Sequence, residues 1–136
     1  MRPLKTLIAA CALTLSAALP AAAQSGLAGE TAINNKLFVF AMANEIRKAC
    51  DDISPRMFRA LNFRNALYAD ARAKGYSDAQ IDAYIDNKAE QNKMRARGNQ
   101  YLAQFGASLS DKPALCRVGR SEIQKRSQIG SLLRAK

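Results

Sequence analysis

Few side chains in this sequence are suited to catalysis, because its 136 residues include no histidine. Histidine is the commonest general base and the commonest metal ligand, and its absence excludes serine–histidine and cysteine–histidine catalytic pairs. Glu45 is a candidate lone general acid for cleavage of a wall polymer, but its neighbours Arg47 and Lys48 favour a solvated helix face. We therefore predict no catalytic residue and a protein that is not an enzyme.

Asp78, Asp82 and Asp86 follow one another at four-residue steps, which places three carboxylates along one face of a helix. Such a row could hold a divalent cation, although calcium sites usually take their oxygens from a tight loop. Pairing with Lys or Arg of another helix, or plain solvation, is the interpretation that we favour. The sequence thus predicts no metal site and no cofactor.

The C-terminal part of the chain is strongly basic. From Lys112 to Lys136 it has seven basic residues and a single acid, Glu122. A basic helix with an apolar side can lie on an anionic membrane surface or wall polymer. Five residues form the candidate basic binding surface: Arg117, Arg120, Lys125, Arg126 and Arg134. A terminal helix that docks on the core would show the same pattern, and nucleic acid is not an expected partner because no binding motif is present.

The N-terminal segment has the order of a cleavable secretory signal peptide. Two basic residues precede an uncharged stretch over residues 6–19, and small residues follow. This order predicts a signal peptide over residues 1–23, removed before Gln24, and hence a periplasmic or secreted protein. The uncharged stretch is shorter than the roughly 20 apolar residues of a membrane span, and no transmembrane helix is predicted after cleavage. A lipoprotein attached at Cys11 and an uncleaved anchor are the alternatives.

Removal of the signal peptide would take away Arg2 and Lys5, which lowers the 21 basic residues to 19 against 11 acids, a net charge of +8. Cys11 would also be lost, which leaves Cys50 and Cys116. An even pair of cysteines in an exported chain is usually a disulfide, because the compartment outside the inner membrane is oxidising. Two separate buried thiols are the alternative.

Apolar residues recur at three- and four-residue steps from Ile33 onward, and no alternating strand pattern is visible. We predict an all-α fold: a small five- or six-helix orthogonal bundle with one disulfide joining the first and last main helices. The helical domain would span residues 33–136, preceded by a flexible lead-in over residues 24–32. Its first helix would run to about Asp51, with Cys50 on the buried side.

A second helix is predicted to start at Ser54-Pro55, where serine can cap the free amides and proline suits the first helical turn. Gly75 would end it as a left-handed cap. The apolar spacing predicts six residues on its inward side: Met57, Ala60, Leu61, Leu67, Tyr68 and Ala71.

Capping patterns predict the remaining helix starts. Ser77 would open a short third helix, and Asn87 would mark a break before a fourth, whose continuity Gly98 weakens. Asp111 would open the last main helix, and Ser127 would start a short tail.

The predicted disulfide also predicts charge pairs. A disulfide holds its two α-carbons within about 4.4–6.8 Å of each other, which brings the neighbours of the two cysteines together. We therefore expect Asp51 and Asp52 to face Arg117 or Arg120. Such pairs would offset the unfavourable position of two acids near a helix C-terminus.

Five blocks of the sequence carry a resemblance: residues 45–53 (EIRKACDDI), 75–84 (GYSDAQIDAY), 94–98 (MRARG), 115–123 (LCRVGRSEI) and 129–134 (IGSLLR). In these blocks the chain resembles a family of short exported alphaproteobacterial proteins of unknown function. The resemblance implies a bacterial, periplasmic setting and supplies no active-site residue. In overall plan alone, the chain is also similar to the small periplasmic acid-stress chaperones, which are helical with one disulfide.

These observations favour one functional hypothesis and one alternative. The hypothesis is an exported, non-enzymatic helical module that binds a protein or an anionic envelope component through its basic helices. The alternative is an acid- or stress-responsive periplasmic chaperone, which would expose apolar helix faces when its carboxylates are protonated and its net charge rises.

Overall fold

A computed structural model describes residues 26–136, so the predicted signal peptide lies outside the described residues. Within them, a 3-10 turn (Gly26–Gly29) leads into six α-helices and two short strands. The helices are α1 (Thr31–Ala49), α2 (Met57–Ala73), α3 (Asp78–Asp86), α4 (Lys88–Ala103), α5 (Lys112–Lys125) and α6 (Gln128–Ser131). The strands are β1 (Ile53–Pro55) and β2 (Leu133–Ala135). The prediction of a small helical bundle is confirmed.

Helix α1 is central to the fold, because it contributes to both hydrophobic clusters. The larger cluster joins α1 to α4, α5, α6 and the two strands, and its most deeply buried residues include Ile46, Leu102, Leu115 and Leu133. The smaller cluster joins the start of α1 to the 3-10 turn, α2 and α3. It consists of Leu27, Ile33, Leu67, Tyr68, Ala71 and Ile81.

The Cys50–Cys116 disulfide joins the end of α1 to α5, as predicted. The two α-carbons are 5.6 Å apart, and both residues are buried. Cys50 itself has extended backbone, so α1 ends at Ala49 rather than near Asp51. Because the two cysteines are 66 positions apart, the bridge stabilises the fold by about 4 kcal/mol in the chain-entropy model.

The prediction of a helix start at Ser54-Pro55 is wrong. These residues instead belong to β1, which pairs antiparallel with β2. The Arg56 amide then donates to the Leu132 carbonyl (2.8 Å), and α2 starts only at Met57. A long-range strand pair thus prevails over the local capping signal. Strands of three residues are too short to show an alternating sequence pattern, which explains why no strand was predicted.

The predicted inward side of α2 is correct only in its C-terminal half. Three of the six residues are buried: Leu67, Tyr68 and Ala71. Ala60 is half-buried, whereas Met57 and Leu61 are 59% and 49% exposed. Helix α2 runs back along α1 towards an ion pair between Lys36 and Asp70, and only its later turns reach the smaller cluster. Met57 and Leu61 therefore lack the apolar neighbours that the sequence pattern implied.

The segment predicted as a flexible lead-in packs on the domain from residue 26 onward. Leu27 is buried in the smaller cluster, and its carbonyl accepts a hydrogen bond from Asn34 Nδ2 (2.8 Å). Helix α1 begins at Thr31, ahead of the predicted Ile33. A single apolar side chain among small and polar residues was too weak a signal to predict this contact.

Four capping predictions are confirmed. In each, the predicted side chain accepts a hydrogen bond from a backbone amide in the first turn of a helix. The caps are Ser77 for α3, Asn87 for α4, Asp111 for α5 and Ser127 for α6. Gly75 follows α2 with φ +92°, the left-handed conformation that was predicted for it.

Two glycines allow direct contact between elements of the larger cluster. A Cβ at Gly119 would lie 2.5 Å from Ile46 Cγ2 and 2.9 Å from Ile53 Cδ1, so α5 packs directly on the end of α1. A Cβ at Gly130 would lie 1.9 Å from the backbone oxygen of Glu122. Helix α6 therefore packs on the backbone of α5, with no space for a side chain.

Gly98 does not interrupt α4, although the low helix propensity of glycine predicted a weaker helix there. A Cβ there would lie 3.1 Å from Met42 Sδ and 3.5 Å from Leu109 Cδ1. The packing of these side chains against the glycine supports the helix at this point.

Replacement of these glycines by alanine should destabilise the protein in a fixed order. Gly130→Ala should cost the most, at least about 3 kcal/mol, because its neighbour is backbone that cannot move aside. Gly119→Ala should cost about 1–3 kcal/mol, because two buried isoleucines must shift. Gly98→Ala should change stability by less than about 1 kcal/mol, since the gain in helix propensity offsets a small movement of Met42. Urea unfolding measures all three, and a Gly130→Ala protein as stable as Gly98→Ala would contradict the packing described.

Candidate functional site

Basic side chains from two distant parts of the chain meet around residues 51–54. From α5, Arg120 Nη1 lies 2.9 Å from Asp52 Oδ2, and Lys112 Nζ lies 3.6 Å from Asp51 Oδ2. Arg117 lines the same shallow depression over the disulfide.

The C-terminal strand brings two more basic residues to this place. Arg134 Nε donates to Ser54 Oγ (3.2 Å), and the Lys136 amide donates to the Asp52 carbonyl (2.9 Å). We call the five residues the basic end: Lys112, Arg117, Arg120, Arg134 and Lys136. It is built by the disulfide, which positions α5, and by the β1–β2 pair, which positions the C-terminus.

The structure places the five predicted surface residues in two different regions. Arg117, Arg120 and Arg134 belong to the basic end, whereas Lys125 and Arg126 do not. Lys125 Nζ lies 5.2 Å from the centre of the Phe105 ring, and Arg126 ends α5 in the left-handed conformation (φ 52°). Lys112 and Lys136 were not predicted to belong to this surface, because their placement depends on long-range contacts that have no local signal.

The predicted charge pairs are confirmed for one of the two acids. Asp52 pairs with Arg120, as expected, but the cation nearest to Asp51 is Lys112 rather than an arginine. The Arg120 and Asp52 side chains are 48% and 56% exposed, so this pair contributes about 0–1 kcal/mol. It orients α5 more than it holds the fold together.

Two of the three aspartates of α3 have separate partners. Asp78 accepts two hydrogen bonds from Arg72 of α2 (2.6 and 2.7 Å), and this guanidinium lowers the pKa of the Asp78 carboxyl. Asp82 accepts a hydrogen bond from the Tyr68 hydroxyl (2.5 Å). Asp86 lies at the rim of a cleft. Among residues 26–136 the structure contains no group of three potential ligands that could hold a metal ion.

Glu45, the candidate general acid, lies between two cations. Its carboxylate oxygens are 3.9 Å from Lys48 Nζ and 4.0 Å from Arg95 Nη1. Its surroundings are those of a partly exposed surface carboxylate, as the neighbouring charges in the sequence indicated.

A cleft of about 660 Å³ separates α1 from α2, α3 and α4. Its floor is apolar and includes Leu37, Ala41, Ile85 and Met94, and its volume is within the range of small-molecule sites. Its rim mixes both signs of charge: Glu45, Asp82, Asp86 and Glu90 alternate with Lys48, Arg64 and Arg95. The cleft therefore favours no particular charge on a ligand. Sequence reasoning missed it because four helices contribute to its wall.

Tyr101 is the centre of an aromatic row that starts at Phe38 in the larger cluster and ends at the exposed Phe105. Its ring packs edge-on against Phe38 (5.6 Å between centroids) and Phe105 (5.3 Å). Burial, followed by the neighbouring Glu122 carboxylate, raises the pKa of Tyr101 to about 12. The phenol is therefore protonated at neutral pH.

None of the helices in residues 26–136 is long and apolar enough to cross a membrane. The fold is a small helical bundle with a disulfide between Cys50 and Cys116 and a basic end. The chain belongs to the DUF5333 family, a family of unknown function, whose model matches residues 25–134. No curated protein and no solved structure matches the chain. The predicted membership of a family of unknown function is confirmed.

Charge reversal should show that Asp52 and Arg120 are true partners. Asp52→Arg and Arg120→Asp should each lower the free energy of unfolding by about 0.3–1 kcal/mol, and the double variant should recover most of that loss. The same reversal at Asp51 and Arg117 is the control, and its effects should be additive because these residues form no ion pair with each other in the described chain. Urea unfolding measures both cycles, and additivity at Asp52 and Arg120 would contradict the pairing.

Proposed function

We propose that this protein is an exported periplasmic module without enzymatic activity, which binds an anionic component of the cell envelope through its basic end. Export is supported by the signal-peptide order of residues 1–23 and by an even pair of cysteines, which suits an oxidising compartment. The bacterial, periplasmic setting is supported by the sequence resemblance described above.

The observation that carries the proposal is the composition of the basic end. Five basic residues gather there, and two acids, Asp51 and Asp52, lie among them. Because these cations come from both α5 and the C-terminal strand, the concentration of charge is a product of folding. A surface patch of one sign attracts polymers or membranes of the opposite sign and does so more strongly at low salt.

The absence of enzymatic activity remains part of the proposal. It is supported by a sequence without histidine and by the surroundings of the acids that could have served instead. Glu45 lies beside two cations, and Asp78 is held by Arg72.

The chaperone alternative is supported by carboxylate contacts of α3 and α4. Ion pairing lowers the pKa of Asp78, which contacts Arg72, and of Glu90, which contacts Lys93. A carboxyl with a lowered pKa stabilises the folded state above its ordinary pKa, and this contribution is lost as the pH falls through the lowered value. Such a protein would act only in acid, whereas the binding proposed here operates at neutral pH.

The proposal predicts that envelope binding depends on where basic residues lie as well as on how many there are. Arg117→Glu/Arg134→Glu should lower sedimentation with isolated bacterial cell envelopes at least fivefold at neutral pH, and salt should weaken binding of the unaltered protein. Lys125→Glu/Arg126→Glu makes the same change in net charge outside the basic end, and it should retain binding within about twofold.

None of the four reversed residues forms an ion pair in the described chain, so both variants should fold, which circular dichroism checks. Equal losses in the two variants would show that net charge alone governs binding. Unchanged binding in both would refute a role for the basic end.

A further inference from the structure

Three large apolar side chains project into solvent from the first turns of α2. Met57 is 59% exposed, Phe58 85% and Leu61 49%. We call these residues the apolar patch. Their spacing of three and four residues places them on one side of the helix, and so they form a single surface. A grouped exposure of large apolar residues marks an interaction site more often than scattered exposure does.

The charged residues next to the apolar patch along the chain are all of one sign. Between Asp52 and Asp70 the chain has three arginines, Arg56, Arg59 and Arg64, and no acid. All three are exposed, as expected for a helix that is basic around an apolar side.

The apolar patch is also joined to the basic end. Arg56 Nε donates to the Leu133 carbonyl (2.9 Å) in the C-terminal strand, and Arg134 lies opposite Ser54 in the strand pair. The start of α2 and the basic end are therefore neighbouring parts of one cationic surface.

We infer that the apolar patch inserts into the interfacial region of an anionic lipid bilayer while the surrounding arginines contact lipid phosphates. The inference rests on the proposed function and identifies its anionic component as lipid. Basic helices with exposed Phe, Leu and Met bind in this manner because apolar burial and attraction to anionic headgroups act together. The long arginine side chains can keep their charge in the headgroup layer while the apolar side chains enter deeper.

Charge complementarity selects lipid over the other occupants of this surface. A second copy of the chain would bring the same arginines against themselves, and like charges oppose that contact. A soluble acidic partner would match the arginines but would leave Phe58, the most exposed of the three, to find a pocket. An anionic bilayer offers both a charged layer and an apolar layer in the order that the side chains require.

The absence of tryptophan from the chain makes a direct test possible. In Phe58→Trp the single indole should shift its emission to shorter wavelength when phosphatidylglycerol vesicles are added, and lipids brominated on the acyl chain should quench it. Neutral phosphatidylcholine vesicles should produce neither effect. Phe105→Trp is the matched control, because Phe105 is also partly exposed (41%) but lies beside Lys125 outside the patch. Its emission should not respond to acyl-chain quenchers.

A second variant measures how much the apolar patch contributes to membrane binding. Phe58→Ser should weaken partition into phosphatidylglycerol vesicles on the order of tenfold, as expected for loss of one buried aromatic side chain. It should leave thermal unfolding unchanged, since Phe58 has no buried contact to lose.

The outcomes separate this inference from the proposed function. If the protein binds envelopes through its basic end but the indole emission of the Phe58→Trp variant is unaffected by anionic vesicles, insertion is refuted and the binding function stands. A concentration-dependent emission shift without lipid would indicate self-association and would also overturn the inference. If envelope binding is itself unaffected by Arg117→Glu/Arg134→Glu, the proposed function fails whatever the vesicle experiment shows.

Discussion

The close approach of α5 and the C-terminal strand to the end of α1 is the contact on which the rest of the structure depends. Gly119 lets α5 lie directly on Ile46 and Ile53, and the disulfide fixes the same two elements one turn away. Gly130 then lets α6 fold back on the α5 backbone, which directs the last residues to β1. The larger hydrophobic cluster is closed by this sequence of contacts, so its stability and the position of the C-terminus are set together.

The surface properties follow from the same contacts. Pairing of β2 with β1 delays the start of α2 to Met57, and Met57, Phe58 and Leu61 in the first turns of α2 are not buried in either cluster. Their apolar side chains remain exposed next to Arg134 and the other cations of the basic end. Cationic and apolar surface thus meet at one end of the bundle, while the opposite end is occupied by the smaller cluster and by the Arg72–Asp78 ion pair between α2 and α3. This division is the physical basis for proposing an anionic envelope partner.

Sequence reasoning succeeded where the determining interactions are local. The caps at Ser77 and Asp111 and the left-handed Gly75 each depend on residues within a few positions, and all were predicted correctly. The disulfide was predictable because only one cysteine pair remains after the predicted cleavage. The strand pair, the docking of Leu27 and the exposure of Met57 depend on partners that are distant in sequence, so no local pattern indicated them. Only part of the candidate surface was predicted, for the same reason. A sequence shows how many basic residues the chain has, but not which of them the fold brings together.

Amide hydrogen exchange in a Cys50→Ala/Cys116→Ala protein tests most directly whether the bridged contact holds the C-terminal strand in place. Two amides report on it: that of Arg56, which donates to Leu132, and that of Lys136, which donates to Asp52. Without the bridge both should exchange at least tenfold faster relative to the amides of the buried half of α2, because the strand pair opens before the smaller cluster does. Equal acceleration of all these amides, or unchanged protection of Arg56 and Lys136, would show that the C-terminal strand does not depend on the disulfide.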